Sequence, residues 1–337
     1  MKAVGFDQPG AIDGEGALRD FVLERPKPKG RDLLVQIKAV SMNPVDTKLR
    51  QRPVAEGEAP KVLGYDAAGV VTELGPDAEN FKIGDEVFYA GALNRPGTNS
   101  EFHLVDERIV GPKPTQLDFP SAAAIPLTSI TAYEMLFDRL RVHEPTPQGS
   151  HTILVIGGAG GVGSITIQLL RALTSLIVIG TASRKETQDW VRELGAHHVI
   201  DHSQALAPQI QALGIESPGY VFSTTQTDQH FDDIVELIAP QGRFGLIDDP
   251  AVLDARPLKL KSISLHWELM FTRSLFETPD MEKQGELLRE VSSLVDEGKI
   301  RTTLSEVLGP IDAKHLSMAH QKIETGSTKG KVVLEGF

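Results

Sequence analysis

Gly158, Gly160 and Gly163 lie in the stretch VIGGAGGVGS (155–164) at the spacing G-x-G-x-x-G, interleaved with Ala159, Gly161 and Val162. Glycine permits the positive φ of a tight turn. Missing Cβ atoms let backbone N–H groups approach a pyrophosphate, and the last glycine lets the next helix pack close to its sheet. The helix N-terminus then aims partial positive charge and unpaired N–H groups at the phosphates. No Gly-Lys-Ser/Thr follows, which argues against a nucleoside-triphosphate loop. Glycine-rich turns without ligands share the pattern, so context decides. Here an apolar strand precedes the match and a helix follows it, which is the setting a dinucleotide needs. Twenty residues beyond Gly163 come Ser183, Arg184 and Lys185, with no carboxylate before Glu186. An NAD site usually has Asp or Glu there to accept from the ribose 2′-hydroxyl. A carboxylate would repel a 2′-phosphate, whereas Ser183 and the forked Arg184 guanidinium can donate to one. The alternative is that Arg184 and Lys185 only line a solvated first helical turn, where basic charge opposes the helix dipole. The residues favour NADPH.

These groups need elements to hold them. Residues 1–125 read as mainly β, with short runs at 32–42, 67–75, 85–91 and 100–107 rich in β-branched and aromatic residues and punctuated by Gly, Pro and Asp. They suggest a compact, barrel-like β domain. A helix is expected over 129–140, then a Pro/Gly-rich connector at 143–150. Strict alternation follows: strands at 152–156, 176–181, 197–201, 220–224 and 243–247, with helices at 163–173, 185–195, 204–213 and 232–239. Such a repeat implies right-handed crossovers and a parallel sheet covered on both faces. A strand at 261–267, helices at 281–298 and 313–324 and a strand at 330–335 close the chain. There are no internal repeats.

Composition narrows the function. The 337 residues suffice for about two domains. A net charge of −12, from 34 basic and 46 acidic residues, disfavours binding to nucleic acid or anionic membrane through bulk charge. With no cysteine, disulfides, thiol nucleophiles and cysteine-ligated metals are excluded. No window approaches a membrane span of about 18 apolar residues and no signal-peptide run opens the chain, so a cytoplasmic location is expected.

Taken in order, KAVSMNPVDTKLR (38–50), LGYDAAGVV (63–71), FKIGDEVF (81–88), AAAIPLTSITAYEML (122–136), the glycine loop and GKVVL (330–334) span nearly the whole chain. The sequence resembles the medium-chain dehydrogenase/reductase superfamily, and within it the zinc-free quinone oxidoreductase and enone reductase branch. The resemblance implies an α/β chain in which a doubly wound, parallel Rossmann domain (128–270) is inserted into a β-rich, GroES-like catalytic domain (1–127 and 271–337). Zinc members carry C-x-x-D and G-H-E where this chain has Asn43-Pro44-Val45-Asp46 and Gly64-Tyr65-Asp66. The thiolate position holds Asn43 and the imidazole position Tyr65. The four-cysteine structural-zinc lobe is missing, so no metal is expected.

Without a metal, an alcohol is poorly polarised for hydride removal. An acceptor that is already electrophilic, a quinone or an α,β-unsaturated carbonyl, can still take hydride from NADPH if the protein positions it and donates to its developing oxyanion. The resemblance puts Asn43 at the nicotinamide and substrate mouth, with a turn residue before Pro44 as the alternative. It puts Thr128 beside the nicotinamide, an N-cap being compatible. Tyr65 is either an oxyanion or proton donor or a structural phenol. Asp46 is read as scaffold. Gly245 and Ile247 are expected to present backbone groups to the nicotinamide amide. Lys331 either approaches the cofactor or is a surface lysine. Trp267, Met270 and Phe271 suggest core or a subunit interface, and the resemblance implies a homodimer. Loops near 48–60, 91–100 and 270–280 would shape the acceptor pocket. Two further readings stay open: an alcohol dehydrogenase with an atypical zinc site, and a non-catalytic NADPH-binding sensor or structural protein.

Overall fold

Hydrophobic alternation and turn residues in the first third produce strands β1 (Lys2–Phe6), β2 (Arg19–Val22) and β3 (Asp32–Ser41), helix α1 (Pro44–Arg50), strands β4 (Lys61–Val62), β5 (Ala67–Leu74), β6 (Glu86–Tyr89), β7 (Phe102–Asp106) and β8 (Gly111–Pro112), and helices α2 (Phe119–Ala123) and α3 (Pro126–Tyr133). The computed structural model describes residues 1–12, 17–54 and 60–337. After α3, which runs on as a π-helical turn over Glu134–Arg139, come β9 (Thr152–Ile156), α4 (Gly161–Leu173), β10 (Ile177–Thr181), α5 (Lys185–Glu193), β11 (His198–Ile200), α6 (Leu206–Ala212), β12 (Tyr220–Ser223), α7 (Thr227–Leu237), β13 (Arg243–Leu246) and β14 (Ser264–Trp267). The chain ends with α8 (Thr272–Leu275), α9 (Lys283–Asp296), β15 (Leu304–Val307), α10 (Ala313–Glu324) and β16 (Lys331–Glu335).

Two compact units result. Unit 1 comprises Met1–Ile130 and Phe271–Phe337, and unit 2 comprises Thr131–Met270. The sequence puts the first junction three residues earlier, at 127/128. In unit 1 the long β3 is the hub. Its first half pairs with β7, its last three residues pair with β16, and β5 runs along most of it. The strand order is β15-β16-β3-β5-β6-β8, and a small sheet β2-β1-β4 stands apart from it. That small sheet is absent from the sequence expectation, because its strands are short and β2 is largely exposed.

In unit 2 six parallel strands lie in the order β11-β10-β9-β12-β13-β14. This is the doubly wound order 3-2-1-4-5-6, whose chain reversal on either side of the first strand creates a crevice at the strands' carboxyl ends. Leu154, Ile156, Ile179, Val221, Phe244 and Leu246 from the sheet pack with Leu206, Ile210, Phe231 and Ile234 from α6 and α7 into one core. Helix α7 starts at Thr227, five residues before the expected 232. Its N-terminus is held by a distant group, Asp248, which accepts from Thr227 N–H at 2.8 Å while Gln226 turns left-handed, so no local start signal is visible. Among the described residues no helix is long and apolar enough to cross a membrane.

Candidate active site

The glycine loop sits between β9 and α4 at the switch point of the sheet. Gly163 is fixed by packing: a Cβ there would lie 2.2 Å from Gly157 O and 2.7 Å from Gly158 Cα. Gly160 is different. A Cβ on it would meet nothing closer than Gly157 O at 3.5 Å, so packing does not require glycine. Close approach of a dinucleotide would. Gly160 is also the N-cap of α4 and offers no capping side chain. The first-turn N–H groups of Gly161, Val162 and Gly163 have no acceptor within the helix. Gly160, Gly161 and Val162 are half-buried and Ala159 is buried beside them. This cradle fits a dinucleotide pyrophosphate.

Two hydrogen bonds tie the loop to the end of β10. Gly157 N–H donates to Thr181 Oγ1 (3.0 Å) and Gly158 N–H to Thr181 O (3.0 Å). Ser183 and Arg184 follow after Ala182, half-buried and exposed, with Arg184 as N-cap of α5. Lys185 is 84% exposed and pairs with Asp189 (i,i+4), which matches the alternative of a solvated first-turn lysine. The sequence did not flag His202. Its Nδ1 lies 2.9 Å from Thr181 Oγ1, and burial, then the neighbouring His230 ring, lowers its pKa, with Arg184 adding to the effect. A neutral imidazole thus sits near Arg184. Gly245 has a different reason for being glycine. It lies inside β13, paired with Phe222 on β12 and His266 on β14, and a Cβ would strike Met135 Sδ at 2.3 Å. Ile247 is one residue past that strand.

In unit 1 the residues of the two upstream motifs converge. Val333 of β16 pairs with Ser41 of β3, and continuing that register places Lys331 opposite Asn43. The β3–β5 register, extended by Ser41 N–H to Asp66 O (3.1 Å), brings in Tyr65 and Asp66. Lys331 is 3% exposed, so it is no surface lysine. Its ammonium donates to Met42 O (2.7 Å), Asn43 Oδ1 and Asp66 Oδ2 (3.0 Å). An ammonium has three N–H donors, and here all three are taken by protein, leaving none for a cofactor. Asn43 is equally committed. Its Nδ2 donates to Asp66 Oδ2 (2.8 Å) and Ser41 O (3.3 Å), and its N–H to Asp46 Oδ2 (2.9 Å). It sits at the head of α1, its amide bonded to Ser41, Asp66 and Lys331. Asp46 Oδ1 accepts from Gly64 N–H (3.0 Å), where φ is +110° and a Cβ would lie 2.5 Å from Thr98 Oγ1. Burial raises the Asp46 pKa to about 7 and raises that of Asp66, whose contact with Lys331 opposes the rise. Burial likewise lowers Lys331. Asp66 and Lys331, in direct contact, form the charged pair.

Asp66, which the sequence assigned no role, has a second function. Its Oδ1 accepts from Leu127 N–H at 2.7 Å, in the first turn of α3. Thr128 is the third residue of that helix and not its N-cap, and its hydroxyl donates to Ile125 O (3.1 Å). Tyr65 is buried with its ring edge-on to Phe271, centroids 5.4 Å apart. Among the described residues its hydroxyl has no hydrogen-bond partner, and burial, with the Asp46 charge, keeps the phenol protonated. From the expected pocket loops, Gly91, Ala92, Asn94, Arg95, Ser274 and Glu277 line a cavity of about 50 Å³, room for water and not for a quinone. Of the 48–60 loop, residues 55–59 lie outside the described residues.

A doubly wound sheet carrying a glycine cradle, inserted in the sequence of a GroES-like unit, defines a nucleotide-dependent oxidoreductase. The profile for alcohol dehydrogenase GroES-like domains matches residues 29–115, and that for zinc-binding dehydrogenases matches 194–334. The chain is 40% identical over 339 residues to a zinc-type alcohol dehydrogenase-like protein of Staphylococcus aureus, covering 99% of each. It matches the crystal structure of a candidate zinc-dependent alcohol dehydrogenase protein from Rhizobium etli CFN 42 with a TM-score of 0.98 at 58% identity, covering 100% of this chain and 98% of that one. It is 28% identical over 346 residues to 2-methylene-furan-3-one reductase of Solanum lycopersicum, covering 99% of this chain and 79% of that protein. The chain belongs to the medium-chain dehydrogenase/reductase superfamily.

Zinc, carried in several of these names, does not fit the donor set. Tetrahedral zinc sites are built from thiolate, imidazole and carboxylate. Here the motif positions supply an amide and a protonated phenol, and the amide oxygen is already occupied by the Lys331 ammonium. Among the described residues no group of three or more His, Asp or Glu side chains could hold a metal.

Proposed function

We propose that this protein is an NADPH-dependent, metal-independent oxidoreductase that delivers hydride to quinones or α,β-unsaturated carbonyls. The observation that carries the reading is the commitment of Asn43 and Asp66 to Lys331, which leaves the Tyr65 hydroxyl as the cluster's uncommitted donor. A site with a donor but no Lewis acid suits an acceptor whose conjugation already carries the developing charge. NADPH, when bound, supplies the hydride. The glycine cradle holds its pyrophosphate, and Ser183 and Arg184 take the 2′-phosphate. Asp66 fixes the first turn of α3 and thereby the backbone of Thr128. Tyr65 donates to the acceptor oxygen.

The test is NADPH oxidation followed by absorbance, with 1,4-benzoquinones and short enones as acceptors and NADH run in parallel. Turnover with at least one acceptor class and a preference for NADPH is expected; no turnover with any of them overturns the reading. We also propose a homodimer formed through β14, the open edge of its sheet, where Trp267 is half exposed. Sedimentation velocity checks it, and a monomer at micromolar concentration refutes it.

A further inference from the structure

We propose that the Lys331 ammonium is the resident cation of the Asn43–Asp46–Tyr65–Asp66 cluster, so that the chain keeps zinc out of this place by filling it with a charge of its own. The inference deepens the metal-free part of the reading above. Its tests need no turnover, so their failure and a failure to find an acceptor are separate results.

Three oxygens, Met42 O, Asn43 Oδ1 and Asp66 Oδ2, converge on one nitrogen. That matches the three donors of an ammonium and leaves no lone pair directed at an empty centre. The acceptors come from the end of β3 and the turn before β5, while the cation arrives from the last strand, 288 residues from Asn43. Both carboxylates are fully buried, and buried carboxylates persist when paired or hydrogen-bonded. The remaining oxygens are closed off by Asn43 N–H, Gly64 N–H and Leu127 N–H. A metal ion could enter only by expelling the ammonium from acceptors that hold it on three sides. Lys331 is therefore a positioning residue. It orients the Asn43 amide and the Asp66 carboxylate, and Asp66 in turn holds the start of α3.

The chain contains no cysteine, which makes a clean substitution possible. In Lys331→Cys the introduced thiol is unique. Alkylation of the unfolded protein with 2-bromoethylamine followed by refolding recreates an ammonium on a side chain of lysine length. Alkylation with iodoacetamide gives a neutral side chain of similar bulk. The aminoethyl form is expected to recover the wild-type melting temperature to within a few degrees, while the neutral form melts about 10 °C lower. Equal melting temperatures for the two derivatives would overturn the proposal, since packing alone would then explain the residue. If neither derivative refolds, Lys331→Ala purified under native conditions and melted with n-propylammonium or tetramethylammonium makes the same comparison. Stabilisation by the primary ammonium alone is expected, and equal effects of the two salts refute the idea. Wild-type protein incubated with excess zinc and desalted is expected to carry no stoichiometric zinc by elemental analysis. One zinc per chain that disappears in Asp66→Asn would also overturn it.

Discussion

The charge pair between Asp66 and Lys331 can be measured directly by a double-mutant cycle. In Asp66→Asn the Lys331 ammonium keeps Met42 O and Asn43 Oδ1 but loses its counter-charge, and one face of the new amide presents N–H to a donor, either Leu127 N–H or the Lys331 ammonium. In Lys331→Met the buried Asp66 carboxylate loses its cation. Removing one partner of a buried ion pair costs about 3–5 kcal/mol because the other charge is left uncompensated. In the double variant neither charge remains, the introduced amide can still accept from Leu127 N–H, and the cost should fall to roughly 1–2 kcal/mol. The coupling should then be at least about 4 kcal/mol, above the usual range for residues in contact, because each single variant leaves a buried charge uncompensated. The assay must report unit 1. Both tryptophans, Trp190 and Trp267, lie in unit 2, so intrinsic tryptophan fluorescence follows the wrong part of the chain. Differential scanning calorimetry at neutral pH avoids this, and for a unit of this size each kcal/mol is worth about 2–4 °C. Melting shifts of about 6–20 °C for each single variant and only a few degrees for the double are expected. Additive shifts would show that the two side chains are stabilised independently, and the cluster would not be the paired charge described above.

Further outcomes follow from the same geometry. Tyr65→Phe removes a hydroxyl with no partner, so stability should change by less than about 0.5 kcal/mol, while kcat for quinone or enone falls about 10²-fold; an unchanged kcat would make the phenol purely structural. Arg184→Ala should weaken NADPH binding roughly 10- to 100-fold, as expected for a charge-assisted hydrogen bond, and leave NADH binding unchanged, read by titration calorimetry. The folded Asp46 carboxyl holds its proton up to about pH 7, against an ordinary value of 3.8. Its contribution to stability is therefore full below pH 4 and is lost as pH rises through 7, at about 1.4 kcal/mol per pH unit between them. Chemical denaturation at several pH values should show that slope weakened in Asp46→Asn relative to the wild type.

Most of the fold was legible because its signals are local. The five alternating strands of unit 2 were recognisable from apolar runs cut by glycine and proline, and each is present to within about a residue or two of the expected bounds. The start of α7 was hidden because its cap, Asp248, comes from beyond the next strand. In the site, the glycine loop was readable because its requirements are written into consecutive residues. The role of Lys331 was not. GKVVL is visible as a motif, but whether its lysine faces solvent or is buried depends on the pairing of β16 with β3 across nearly the whole chain. Asp66 was passed over for a similar reason, since its partners Leu127 and Lys331 lie 61 and 265 residues away. Gly245 shows how a glycine can carry two reasons: a strand end invites a ligand-based one, and the Met135 sulfur supplies a packing one that no local signal reveals.

The arrival of Lys331 on the final strand has a consequence for synthesis. Unit 2 is a continuous segment, so all of its residues have left the ribosome while Phe271–Phe337 is still being made. Unit 1 cannot finish in that order. Until β16 emerges, Asp66 has no internal ammonium, and β3 lacks one of its two neighbours along Ala39–Val40, with β5 alone beside it. The nascent chain therefore carries a complete nucleotide-binding half joined to an acidic, unfinished one. A stop codon a few residues before position 331 would leave the N-terminal half without the charge that closes it, although more than nine-tenths of the protein had been translated.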